Sequence, residues 1–155
     1  MFFALGKKKV VHGLWRQAPG HKEQQLMLKF LNNDFELDRW KMAAIKNAYA
    51  LLSKQRYEYA AAFFMLGGAP KDAINVCLRQ MNDWQLAFTL ARIVENGLDG
   101  ELVKWVVRDT VIPLAFEGGH RWLASWAFWI LNRRDLSVRV LIVSKFSEAG
   151  NRADS

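Results

Sequence analysis

The chain has 155 residues, 52% of them hydrophobic, with 22 Lys/Arg against 15 Asp/Glu, a formal net charge of +7 and one cysteine. That length sets about one domain with enough apolar material for a core, and a single cysteine excludes an intramolecular disulfide framework and suits a reducing, cytoplasmic compartment. No apolar run approaches the roughly 18 residues needed to span a bilayer, and Phe2–Leu5 is too short, and too closely followed by Lys7, Lys8 and Lys9, for a secretory leader.

The first periodic segment, Phe3 to Trp15, places Lys7, Val10, Val11 and Leu14 at i, i+3, i+4 and i+7 and predicts an amphipathic helix. Pro19 and Gly20 break it, and Glu23 to Asn32 predicts a second helix with Leu26, Met27, Phe30 and Leu31 on one broad face. Asp38 suits the first turn of a third helix running to about Lys54, because a carboxylate there complements the helix dipole. Its stripe of Trp40, Ala44, Ala48, Leu51 and Leu52 contains small residues that let a neighbouring helix approach closely. Gln55 and Arg56 mark a tight turn. Tyr57 to Leu66 predicts a fourth helix, closed by Gly67 and Gly68 in a left-handed cap. Pro70 fits the first turn of a fifth helix, where its missing N–H is not needed, and Ala73, Val76, Cys77 and Met81 form the inner edge. Asn82 or Asp83 is expected to cap a sixth helix, Trp84 to Glu95, with Leu86, Ala87, Leu90, Ala91 and Val94 inward and Asn96-Gly97 as its stop.

Asp99 is expected to cap a helix over Gly100 to Thr110, with Leu102, Val103, Val106 and Val107 inward, and Pro113 to interrupt or kink the run before Leu114 to Glu117. After Gly118 and Gly119, the segment Arg121 to Leu131 is apolar nearly all round, with Trp122, Trp126 and Trp129 on one face, and reads as a helix buried on both sides. Leu136 to Phe146 alternates partly as a strand would, but a lone strand has no partner in this chain, so a helix is preferred. The predicted fold is all-α, an α-solenoid of stacked antiparallel helical hairpins with about eight or nine helices over residues 1–149, followed by a small, polar tail at 150–155 expected to fray.

No convergent chemistry accompanies these helices. His12, His21 and His120 lack the i, i+4 spacing of a helical zinc pair, and neither a phosphate-binding glycine loop nor a nucleophile elbow is present. Cys77, between Val76 and Leu78, reads as an inert core thiol, and Asp34, Glu36 and Asp38 as a solvated loop. No catalytic residue, cofactor or metal is therefore expected. Residues 1–56 carry 11 Lys/Arg against 4 Asp/Glu, which accounts for the whole basic excess. Lys7, Lys8, Lys9, Arg16, Arg133 and Arg134 are the candidate partner-binding residues; the plainer reading is that they coat solvated helix faces. A nucleic-acid surface would draw on the lysines beside His12 and Trp15, yet the aromatics fall on helix-core spacing and no nucleic-acid module is visible. The Trp122, Trp126 and Trp129 stripe reads more readily as core packing than as a partner groove.

At FALGKKKVVHGLWR (Phe3 to Arg16), across Asn33 to Arg92 with the phrases KNAYALLSKQR and KDAINVCLRQMND, and at RWLASWAFWILNRRDLSVRVLI (Arg121 to Ile142), the chain resembles the large subunit of the RAVE complex, the DmX-like or rabconnectin family. The resemblance implies a part of that family's helical solenoid without its amino-terminal propellers, hence a fragment or a shortened paralogue. It also implies a scaffold that promotes reassembly of the vacuolar proton-pumping ATPase. The implied partners are subunits of the pump's peripheral sector, other RAVE subunits and missing segments of the same large protein, with peripheral association at vacuolar or endosomal membranes. No contact residue is carried over from the family. A helical scaffold of a trafficking coat is the alternative that the hairpin pattern also permits.

Overall fold

A computed structural model describes residues 1–143; the tail at 150–155 and the end of the Leu136 to Phe146 segment lie outside the described residues. Every regular element among them is helical. In chain order these are α1 (Lys8–Arg16), α2 (Gln24–Leu31), α3 (Asp38–Ser53), α4 (Tyr57–Leu66), α5 (Pro70–Arg79), α6 (Trp84–Glu95), α7 (Glu101–Val106), a π turn (Val107–Val111), α8 (Ile112–Glu117), α9 (Arg121–Ile130) and α10 (Arg134–Ile142). Because α7, the π turn and α8 run on without a break, the described residues hold nine helical rods. They group into two compact units, Met1–Asp83 and the residues from Trp84 onward.

One turn closes five of the helix ends. Gln55, Gly68, Asn96, Gly119 and Asn132 take left-handed φ values between 52° and 75°. Their N–H groups donate to the carbonyls of Leu52, Met65, Ile93, Phe116 and Trp129 at 3.0–3.3 Å. The following residue in each case donates to the carbonyl five positions back: Arg56 to Leu51, Ala69 to Phe64, Gly97 to Arg92, His120 to Ala115 and Arg133 to Phe128, at 2.7–3.2 Å. This paired bonding satisfies carbonyls that a helix end leaves without partners, and it reverses the chain within a few residues. At these corners the following helix turns back beside its predecessor: α4 on α3 and α5 on α4 in the first unit, and α7, α9 and α10 each on the helix before it in the second.

In the first unit α3, α4 and α5 pack in succession. Ala44, Ala48, Ala60 and Ala73 are fully buried, with Phe64 and Ile74 filling the space between them. Small residues allow this close approach. At the end of α4 the fit is tighter still: a side chain on Gly67 would meet Ile45 Cγ1 at 2.7 Å and the Lys41 carbonyl at 3.0 Å. The α1–α2 hairpin is joined to this stack by Phe30, whose ring lies 5.4 Å from Phe63, 5.3 Å from Phe35 and 6.3 Å from Trp40. The apolar face expected on α1 stays largely open: Val10 and Leu14 are exposed, and no residue of the helix is buried. The helix also starts at Lys8, not Phe3, because Gly6 adopts a left-handed φ of 67° and ends the preceding turn.

In the second unit Leu90, Val103, Val106, Val107 and Val111 are buried, and Ala115, Ala124 and Val140 form a core cluster with Phe116, Leu123, Phe128 and Leu141 packed against it. The Ser125 and Ser137 hydroxyls, both buried, hydrogen-bond at 2.9 Å and fix the register of the α9–α10 hairpin. Two expectations are corrected. Pro113 does not interrupt the helix: Ile112 N–H donates to the carbonyl of Val107, five residues back, and this wider turn takes up the disturbance that proline brings to regular i to i−4 bonding. Nor does Asp99 cap α7. Glu95 does so from the end of α6, its two carboxylate oxygens accepting the N–H groups of Leu102 at 2.9 Å and Val103 at 3.0 Å. The carboxylate occupies the space a Cβ at Gly100 would need, within 2 Å of that position.

The cap makes Glu95 and Gly100 energetically coupled. Gly100 has φ −73° and ψ 157°, which alanine adopts freely, so Gly100→Ala acts only by expelling the carboxylate. Glu95→Ala is expected to cost about 1–2 kcal/mol in urea unfolding, and Gly100→Ala alone about 1 kcal/mol. In the Glu95→Ala background the same Gly100→Ala change should become neutral or stabilise by about 0.5 kcal/mol. Simple additivity in this double-mutant cycle would contradict the cap.

Candidate interaction surface

The six candidate cations fall in different settings. In the first unit Lys7, Lys9 and Arg16 are exposed along α1. Lys8 is turned inward: its ammonium donates to the Asn33 carbonyl at 2.8 Å and lies 5.1 Å from the centre of the Phe35 ring, tying α1 to the loop before α3. In the second unit Arg133 and Arg134 are both exposed at the start of α10. The Arg133 guanidinium forks onto the Asp135 carboxylate at 3.1 and 3.0 Å, which raises the pKa of the arginine and lowers that of the aspartate. Arg134 places its guanidinium 5.2 Å from the centre of the Trp129 ring, where the negative face of the indole attracts it.

A second fork, not apparent from the sequence, joins Arg56 at the start of α4 to Glu23 before α2, at 2.5 and 2.8 Å. The two side chains are 34% and 25% exposed. Arg56 also lies 4.2 Å from the Tyr59 ring centre. The hydrogen bond from Arg56 is the main reason the Glu23 carboxyl is held below its ordinary value, with the charges of Arg56, His21 and Lys22 acting in the same direction against partial desolvation. The fork closes one end of an open cleft of about 390 Å³ lined chiefly by Leu26, Met27, Phe30, Leu51 and Phe63.

The sharpest departure from expectation lies on α9. Trp122 is 79% exposed and Trp129 56%, so the tryptophan face is not core packing; only Trp126 is partly enclosed, its ring 5.1 Å from Phe88. The physical reason is volume. Ala124 and Ala127, fully buried, occupy the inner side of the helix at close range, and indoles set seven residues apart are carried round to the opposite side. Val138 and Ile142 on α10, 61% and 75% exposed, share the outward face. The Ser125–Ser137 register and the Arg134–Trp129 contact hold the two helices so that these four apolar side chains and the guanidinium look the same way. Val138 and Ile142 were legible only as part of an ambiguous alternation. The i, i+4 spacing they share, taken as a helix, marks them as one stripe.

Among the described residues no three His, Cys, Asp or Glu side chains converge as metal ligands, and no helix is long and apolar enough to cross a membrane. Cys77 is fully buried, and burial pushes its thiol up to about 11, far from a reactive thiolate. Helical rods joined by tight caps, with large apolar side chains turned outward on α9 and α10, make this an all-α protein of helical hairpins. A family model described as "RAVE protein 1 C terminal" matches residues 1–154, and the chain belongs to that family, as the resemblance had implied. It is 37% identical over 150 residues to "Regulator of V-ATPase in vacuolar membrane protein 1" of Saccharomyces cerevisiae, covering 97% of this chain and 11% of the relative. The protein of the same name in Schizosaccharomyces pombe is 43% identical over 139 residues, covering 90% and 11%. "DmX-like protein 1" of Mus musculus is 38% identical over 159 residues, covering 95% and 5%. The chain thus spans about a tenth of the fungal relatives' length and less of the mouse relative's. The two fungal relatives are named as regulators.

The Glu23–Arg56 fork sets a pH dependence. Because the folded state lowers the pKa of Glu23, its stabilisation is complete above the carboxyl's ordinary range and is lost as pH falls through the lowered, folded-state value. Carboxyl-detected NMR should show Glu23 titrating below the ordinary glutamate range, and Arg56→Gln should return it toward that range. An unchanged midpoint in Arg56→Gln would show that the fork does not set it.

Proposed function

We propose that this chain is a non-catalytic scaffold segment of a RAVE-like assembly that promotes assembly of the vacuolar proton-pumping ATPase. The observation that carries the reading is similarity at 37–43% identity, over at least 90% of the chain, to relatives named as regulators of that ATPase in the vacuolar membrane. The architecture agrees with it: helical rods set at fixed spacing present side chains for partners to grip. The chain acts by holding protein partners, namely peripheral-sector subunits of the pump, other RAVE subunits and further segments of the large protein. It works on the cytoplasmic face of vacuolar or endosomal membranes, which it reaches through those partners. Lys7, Lys9, Arg16 and Arg134, exposed on their helices, supply long-range attraction to acidic partner surfaces. Lys8 and Arg133 contribute mainly by bracing their own units.

The immobilised chain should retain peripheral-sector subunits of the pump from yeast extract at low salt, and the retained amount should fall as salt rises. Retention of coat subunits in their place would support the trafficking-coat reading. A steeply salt-dependent shift of RNA or DNA, with no pump subunit retained, would assign the basic surface to nucleic acid.

A further inference from the structure

The outward face of the α9–α10 hairpin leaves large apolar side chains open. Between described helices Ala44, Ala48, Ala60, Ala73, Ala124 and Ala127 are fully buried, beside aromatic pairs such as Phe30–Phe63 and Phe116–Phe128. The outward face instead carries Trp122, Trp129, Val138 and Ile142, between 56% and 79% exposed, with Arg134 laid against Trp129. Tryptophan and arginine are the side chains most enriched among the energetic anchors of contacts between separate proteins. The two helices are basic: residues 121–142 contain four arginines, Arg121, Arg133, Arg134 and Arg139, against the single acid Asp135, which Arg133 engages.

We propose that this face is the seat for an acidic amphipathic helix of a partner protein, laid along α9 and α10. Its apolar stripe packs between Trp122 and Trp129 on one side and Val138 and Ile142 on the other, as successive helices pack in the α3–α4–α5 stack. Glutamates or aspartates on its flanks meet Arg134 and Arg139. A second copy of this chain does not fit: a two-fold contact through the same face would set the arginines of one copy against those of the other. The face is also two helices wide, with Arg134 held down on the indole, a form that suits a helix. A lipid-lying helix carries its bulky apolar residues along a single stripe. This inference rests on the scaffold reading only for the identity of the partner; the chemistry of the seat stands on the hairpin alone.

The test uses the full 155-residue chain and a fluorescein-labelled synthetic helix with leucines at i, i+3, i+4 and i+7 and glutamates on both flanks. The glutamate peptide should bind with a saturable rise in anisotropy that weakens as salt rises. Trp122→Ala with Trp129→Ala should weaken it roughly tenfold or more, as loss of a central anchor does, and Arg134→Glu should weaken it too. A peptide with lysines for glutamates should bind far less. Circular dichroism and continued protection of Cys77 from iodoacetamide establish that the variants are folded. Failure of the glutamate peptide to bind, equal binding of the lysine peptide, or unchanged binding by the variants overturns the proposal. So does binding of 7:3 phosphatidylcholine–phosphatidylserine vesicles, or a dimer in sedimentation, that the variants abolish while the peptide does not bind. If the variants lose the peptide but retain pump subunits as the parent does, the seat stands and the pump is held elsewhere. If the parent binds the peptide but retains no pump subunit, the seat stands and the scaffold reading falls.

Discussion

The requirement that the chain reverse within two or three residues at the end of a helix governs the rest of this structure. At Gln55, Gly68, Asn96, Gly119 and Asn132 the reversal is achieved by one left-handed residue and two backbone hydrogen bonds that reach three and five residues back. A connection so short leaves the following helix no choice but to lie beside its predecessor. Contact at that range favours small side chains, so alanines line much of each seam and the glycine at 67 sits where even a methyl group would collide with Ile45. Larger side chains fit only where there is room. Phe30, Phe63 and Phe64 gather where rods meet, whereas Trp122 and Trp129 have no interior left to fill. The outward tryptophans are thus a consequence of how tightly the helices are joined.

The same tightness explains the polar cross-links. The residues that open α1, α3, α4, α9 and α10 supply no side-chain cap, and the first N–H groups of these helices must look elsewhere. For α7 the partner is Glu95, which ends the preceding helix and so fixes the α6–α7 corner as well as satisfying two donors. Glu23 and Arg56 perform a related task at longer range, clamping the α2 entry to the α4 entry across 33 residues of sequence. Such a forked pair has defined geometry as well as charge. Lys8, by donating to the Asn33 carbonyl, is likewise spent on architecture.

Much of this was legible in the residues, and the limit is physical. The bounds of α4 and α6 follow from the sequence because Gln55-Arg56, Gly67-Gly68 and Asn96-Gly97 are punctuation whose backbone chemistry is local. Family membership was legible from phrases such as KNAYALLSKQR and RWLASWAFW, and the family match bears it out. What periodicity cannot supply is whether a face is covered. It places Trp122, Trp126 and Trp129 together, but exposure depends on which other helices arrive: Phe88 reaches Trp126, while Trp122 and Trp129 stay 79% and 56% exposed. The Glu95 cap was hidden for a related reason. Asp99 stands at the favoured position by sequence, yet the carboxylate that reaches the N–H groups of α7 comes from seven and eight residues upstream. Pro113 misled because its cost is normally counted against an i to i−4 ladder, and the chain substitutes a wider turn.

These features together decide what kind of binding the molecule supports. A docking surface costs least to occupy when its side chains are already held, since the ordering of long side chains is otherwise subtracted from affinity. On α9–α10 the backbone is fixed by the buried Ser125–Ser137 bond, Trp129 is steadied by Arg134, and the seam beneath is locked by Ala124 and Ala127. The α1 face, by contrast, carries exposed Val10 and Leu14 beside exposed Lys7 and Lys9 on a helix with no buried residue. Its anchoring comes from Lys8 and from Gln24, whose amide donates to the Trp15 and Arg16 carbonyls. A braced aromatic face fixes where a partner seats, and a looser basic helix speeds the encounter through long-range attraction. On the proposed scaffold reading the two faces would divide seating from encounter, each on its own helical unit.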